Sequence, residues 1–151
     1  KARAGHRPSL RREGVKTFLD SSAFAKRYVD EPGSAAVDTL CGEATELAVS
    51  VLCIPEITSA LNRRLRERSL SPQQYGRAKD APLADIRDAA IVNLTPSVVS
   101  TCIVILEASP LRALDALHIA CAMEWEAELF ISADKRQIAG ARKAGLRTRR
   151  V

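Results

Sequence analysis

Aromatic residues are scarce in this chain, with three Phe, two Tyr and one Trp making up 4% of 151 residues. Base stacking on aromatic rings is one way to hold single-stranded nucleic acid, and Tyr28 and Tyr75 are too few to carry that reading. Trp125 is expected in the core or at an interface. Histidine is scarcer still, at two residues, His6 and His118. The four cysteines, Cys41, Cys53, Cys102 and Cys121, have no CxxC spacing, which excludes the close ligand pairs of a structural zinc site. Each sits in an apolar helical context and reads as a buried free thiol in a reducing compartment. No apolar run approaches the roughly 20 residues that span a bilayer. No apolar segment follows the basic start, so a secretory signal is not expected. On these absences the chain is expected in the cytoplasm, away from membranes. Repeats and low-complexity tracts are missing too, and no Ser-His-Asp or Cys-His pattern marks a side-chain nucleophile.

What remains is an ordinary globular composition, 46% apolar and 27% charged, in a chain long enough to bury one core. The net charge is +5, with arginine far ahead of lysine. Guanidinium groups bind phosphate in a bidentate fork, so the balance favours a polyanionic partner. Residues 1–14, KARAGHRPSLRREG, read as a flexible basic extension, and 15–151 as one domain.

Along that domain short apolar runs alternate with helical patterns. Strands are expected at Val15–Leu19, Leu47–Val49, Ile91–Leu94 and Leu129–Ile131, with an edge strand over Leu146–Val151. Helices are expected over Ser22–Val29, over Ser34–Cys41 and, capped by Ser50, over Val51–Arg68. The last carries the stripe Ile54, Ile57, Leu61, Leu65, leaving Arg63, Arg64, Arg66 and Arg68 mostly to water. Ser71-Pro72, Thr95-Pro96 and Ser109-Pro110 each read as a cap followed by proline in a first helical turn. Pro82 is expected to divide its helix, with Asp80 capping the second piece. Asp134 caps a helix that stops at Gly145. The alternation predicts a three-layer α/β/α fold around a parallel sheet.

Four acids stand out. Asp20 ends the first strand, Asp134 follows Leu129–Ile131, and Glu56 opens the helix after Leu47–Val49. All three therefore fall at the carboxyl edge of the sheet, where such folds bind ligands. Asp115 interrupts an apolar stretch from Leu114 to Ala122. Each acid alone has a structural explanation, as an N-cap for Asp20 and Asp134 or a first-turn charge for Glu56 and Asp115. Together they are different, because clustered carboxylates repel, and buried ones are costly unless paired or bound to a cation. All-oxygen ligands suit Mg²⁺ or Mn²⁺. His118, on an apolar face, reads as a packed and satisfied histidine.

The segments FLDSSAFAKRYVDEPGS, LAVSVLCIPEITSAL, PLRALDALHIACA and FISADKRQIAGARKAGL resemble the PIN-domain ribonucleases, more narrowly the VapC-type toxins of bacterial toxin–antitoxin pairs. The likeness runs from Val15 to Val151. It implies a PIN fold, a Mg²⁺- or Mn²⁺-dependent endoribonuclease leaving 5′-phosphate and 3′-hydroxyl ends, inhibition by a cognate antitoxin, and a homodimer. It maps Asp20, Glu56, Asp115 and Asp134 onto the family's metal-binding acids, and gives Ser21, Ser22 and Ser132 the task of orienting carboxylates or water. Ser132 stands where threonine is frequent, keeping the hydroxyl. Lys26, Arg27, Arg63 and Arg64 are candidates for gripping the RNA backbone.

Other readings predict different observables. A receiver-like signalling module needs a phosphoacceptor Asp after the third strand, where Asn93-Leu94-Thr95 lies. A non-catalytic nucleic-acid-binding module predicts binding indifferent to metal. An RNA-processing PIN nuclease lacks an adjacent antitoxin gene.

Overall fold

The computed structural model describes residues 14–151, so the basic extension expected at 1–14 lies, but for Gly14, outside the described residues. Five strands form a fully parallel sheet: β1 (Val15–Leu19), β2 (Ala44–Ser50), β3 (Ala90–Val92), β4 (Leu129–Ser132) and β5 (Thr148–Arg150). Their order is β3-β2-β1-β4-β5. The chain builds outward from β1 on one side, then returns to lay β4 on the other. A topological switch therefore falls between β1 and β4, and the crevice at their carboxyl ends is where an open α/β sheet receives ligands.

Alternation along β1 makes the three layers. Phe18 pairs with Ala48 and Phe130, Leu19 with Val49 and Ile131. The Phe18 row faces α5 (Pro96–Ala108), α6 (Ala113–Glu124) and α7 (Lys135–Lys143), where it meets Val98, Cys102, Ile119, Ala120 and Ile138. Phe18 and Phe130 stack with ring centroids 5.9 Å apart. The Leu19 row faces α1 (Ser21–Ala25), α2 (Ser34–Glu43) and α3 (Cys53–Arg66), against Phe24, Val37, Cys53, Ile57 and Leu61. Alternate residues of one strand thus serve two cores, which is why these strands read as continuous apolar runs.

Several local expectations are corrected. Pro82 does not divide its helix: α4 runs unbroken from Pro72 to Asp85, with Asp80 inside it. Pro82 is the buried residue of α4, so packing offsets the hydrogen bond its missing N–H cannot make. The Ser109-Pro110 pair does not open α6, which begins at Ala113 after an uncapped Arg112. Leu111 is held instead in a tight turn, its N–H on the Ser109 carbonyl at 2.9 Å. The Leu111 side chain lies against Gly140, where an added Cβ would come within 2.6 Å of it. Ser50 accepts from the Leu52 amide at 3.0 Å, but α3 starts beyond it without a side-chain cap. The first helix is shorter than expected, ending at Ala25, while β2 is longer. The four thiols are free as expected, Cys41 partly and the others fully buried. No described helix is long and apolar enough to cross a membrane.

Candidate active site

All four acids line one cleft of about 440 Å³ at the carboxyl edge of the sheet. Asp20 leaves β1 and is only 4% exposed. It caps α1 by accepting from the Ala23 amide at 2.8 Å. The Ser22 hydroxyl lies 2.8 Å from both its oxygens, and the Ser132 hydroxyl 2.8 Å from Oδ2. Burial pushes its carboxyl above the usual range, against the pull of those hydrogen bonds and of the His118 charge.

Glu56 sits in the first turn of α3, where a negative charge suits the helix dipole. Its Oε2 accepts from the Ser21 hydroxyl and lies 2.6 Å from His118 Nε2. Burial alone would raise its carboxyl, but the hydrogen bonds from His118 and Ser21 outweigh it and hold the group below the ordinary value. Asp115, in the first turn of α6, is pushed up by burial and then by the charges of Asp134 and Glu56, while Arg112 and His118 oppose the rise. Asp134 caps α7, its Oδ1 accepting from the Arg136 amide at 2.7 Å and the Gln137 amide at 3.1 Å. Capping and clustering therefore coexist in Asp20 and Asp134.

Two residues of this network escape a reading of the sequence. Gln137 stands three after Asp134, the spacing of a capping-box partner. Its side chain instead turns inward and is buried, donating to the Asp115 carbonyl at 3.1 Å and approaching the Ser132 hydroxyl with Oε1 at 2.7 Å. Arg112 lines the cleft beside Asp115; nothing in its sequence context separates it from the other arginines. His118 corrects the expectation of a satisfied core histidine. It is buried, but Nε2 serves Glu56 and Nδ1 has no partner among the described residues.

The expected phosphate-gripping set divides. Arg63 and Arg64 line the cleft. Lys26 does not face it: its ammonium is bound by the Pro32 carbonyl at 2.7 Å and Glu31 at 3.3 Å. Arg27 is likewise drawn to Asp85 at 3.6 Å and Asp38 at 3.9 Å. Tyr28 lines the cleft, yet its hydroxyl is engaged by Asp85 at 2.8 Å.

As donors the four carboxylates fit a hard divalent cation, and the mutual repulsion felt at Asp115 is what such an ion would relieve. Among the described residues no three Asp, Glu, His or Cys side chains converge closely enough to hold one ion. Glu56 Oε2 is engaged by His118, and Asp134 Oδ1 by the α7 amides.

The protein is thus a parallel α/β/α sandwich with a carboxylate-lined, arginine-bearing cleft at its switch point. The PIN domain model matches residues 17–143, and a relative named Ribonuclease VapC47, from Mycobacterium tuberculosis, is 32% identical over 137 residues, covering 87% of this chain and 93% of that protein. The chain belongs to the PIN-domain family, in its VapC-type branch. Solved structures agree on the fold. VapC20 of M. tuberculosis, a sarcin–ricin-loop-cleaving toxin, superposes with a TM-score of 0.65 at 16% identity, covering 86% of this chain and 95% of that one. VapBC2 from Rickettsia felis, bound to a promoter DNA fragment, gives 0.65 at 10%, covering 89% and 98%.

Proposed function

We propose that this chain is a divalent-metal-dependent endoribonuclease, the toxin of a VapBC-type pair, acting in the cytoplasm on RNA and silenced by a cognate antitoxin. The observation that carries the reading is the shared cleft: Asp20, Glu56, Asp115 and Asp134 arrive from four separate elements at one edge of the sheet. Family membership and the relative's name support the nuclease chemistry.

In this reading Asp20, Glu56, Asp115 and Asp134 hold Mg²⁺ or Mn²⁺. When bound, such an ion makes hydroxide available near neutral pH and screens the scissile phosphate. Ser22 and Ser132 fix the rotamer of Asp20, and Ser21 with His118 fixes Glu56. Arg63 and Arg64 grip the RNA backbone. A homodimer is part of the proposal, supported by the outward face of α5, where Val99, Ile103 and Val104 are 46%, 52% and 63% exposed.

The caps formed by Asp20 and Asp134 favour one other reading, a nucleic-acid-binding module whose acids are structural. Incubating total RNA with the protein, with and without Mn²⁺, and mapping the new ends separates the two. Metal-dependent cuts bearing 5′-phosphate and 3′-hydroxyl termini, lost in Asp115→Asn, are expected. RNA left intact under both conditions would exclude the nuclease.

A further inference from the structure

The cleft has cations on two sides. Arg63 and Arg64 stand in the last turn of α3, whereas Arg112 enters from the opening of α6, three residues before Asp115. The charges of Lys26 and Arg27 are consumed by neighbouring acids. Arg112 differs: among the described residues no carboxylate lies within 4.0 Å of its guanidinium and no side-chain hydrogen bond holds it. Its charge is nonetheless felt at Asp115, where it favours the ionised form. A guanidinium in a cleft lined by five carboxylates, yet paired with none among the described residues, is left available. It is exposed and free to meet an anion that enters the cleft.

Resting on the ribonuclease reading, we propose that Arg112 grips a phosphate of the RNA strand on the α6 side of the cleft, opposite Arg63 and Arg64, and so sets which phosphodiester lies over Asp115. The planar guanidinium fork suits a phosphodiester, which it binds through two oxygens at once; lysine offers only a point charge. With contacts on both walls the strand crosses the acids in a fixed register. With one wall alone it is tethered but free to slide.

Binding of a fluorescein-labelled single-stranded RNA is measured in chelator across a range of KCl concentrations, for wild type, Arg112→Gln and Arg112→Lys. Cleavage of the same RNA is then mapped with Mn²⁺. Loss of one phosphate contact lowers the salt slope of log Kd by about 0.7 in Arg112→Gln. The slope is retained in Arg112→Lys, whose charge survives. Both variants cut at neighbouring phosphodiesters as well as at the wild-type site, the Gln variant more broadly. Arg112 is exposed and caps nothing, so the melting temperature should not move; if Arg112→Gln nonetheless unfolds, the cut pattern of Arg112→Lys decides. An unchanged slope with an unchanged cut site overturns the assignment while wild-type cleavage leaves the nuclease standing. A wild type that neither binds nor cuts RNA brings down the functional reading and this inference with it.

Discussion

His118 Nε2 lies 2.6 Å from Glu56 Oε2, and the Ser21 hydroxyl, 3.2 Å from that nitrogen, donates to the same oxygen. Glu56 is held ionised and can only accept, so the ring donates from Nε2 and leaves Nδ1 buried without a partner among the described residues. An imidazole placed behind a carboxylate in this way fixes the direction the carboxylate points.

Replacing that ring tests its task. His118→Leu keeps the volume and loses the donor, so Mn²⁺ affinity and cleavage should both fall, roughly 10- to 100-fold as for groups that orient metal ligands. His118→Gln, which can still donate to Glu56, should recover much of the loss. Mn²⁺ titration of the three proteins provides the check, and equal affinities would return His118 to the role of core filler.

The thiols should be chemically quiet. Burial pushes Cys53 up to about 12, and it raises Cys41, Cys102 and Cys121 as well. A thiolate is the reactive form, so a small thiol reagent at mildly alkaline pH should label slowly, with half-buried Cys41 on α2 first. Cys41 does not line the cleft, so RNA cleavage should survive its modification. Rapid loss of cleavage upon labelling would mean that a thiol opens to solvent near the acids.

The layers and the acid edge were legible in the sequence because burial leaves a periodic trace: Phe18-Leu19, Ala48-Val49 and Phe130-Ile131 can only be continuous apolar runs if both sheet faces are covered. Acids directly after such runs fall at one edge by topology alone. Local signals that compete with packing were not legible. The cap-plus-proline pattern at Ser109-Pro110 was outweighed by the seating of Leu111 on Gly140, and Pro82 by its own burial. Side-chain direction leaves no trace either. Lys26 and Arg64 look alike as basic residues near the site, yet one is bound to a carbonyl and the other lines the cleft. Gln137 looks like a capping residue and points the other way.

Three helices end in the same way, and only one uses glycine for it. After α7, Gly145 takes φ +95°, its amide bonding Arg142 and that of Leu146 bonding Ala141. Arg68 after α3 and Glu126 after α6 make the same pair of bonds at φ 59° and 56°. A side chain in this left-handed region is strained. Glu126→Gly or Arg68→Gly should therefore stabilise by about 1 kcal/mol, partly offset by the extra freedom of glycine in the unfolded chain. That corresponds to a rise of about 2–4 °C in melting temperature. A lowered melting temperature for both would show that the side chains contribute more than the strain costs.

The Ser132 hydroxyl has one proton and faces two acceptors, Asp20 Oδ2 at 2.8 Å and Gln137 Oε1 at 2.7 Å. Gln137 cannot present its amide nitrogen there, because that nitrogen donates to the Asp115 carbonyl. Shared between the two acceptors, that proton stabilises the Asp20 anion less than an undivided hydrogen bond would. Burial raises the Asp20 carboxyl in the same direction, above the ordinary 3.8. Between 3.8 and the raised folded value, the folded protein keeps a proton that the unfolded chain has released, so stability falls as pH climbs through that window and stays lowered above it. Asp20→Asn removes this penalty and still caps α1, Asn being as good a cap as Asp. At neutral pH in chelator it should melt no lower than wild type, and its stability should lose part of the wild type's acid-side pH dependence. Mn²⁺ should reverse the order. An ion bound only by the folded wild type adds about 2.7 kcal/mol at a hundredfold excess over Kd, while the variant, one ligand short, gains less. Melting both proteins in chelator and in Mn²⁺ gives four curves. If the ion shifts both equally, or neither, Asp20 is a cap and no ligand.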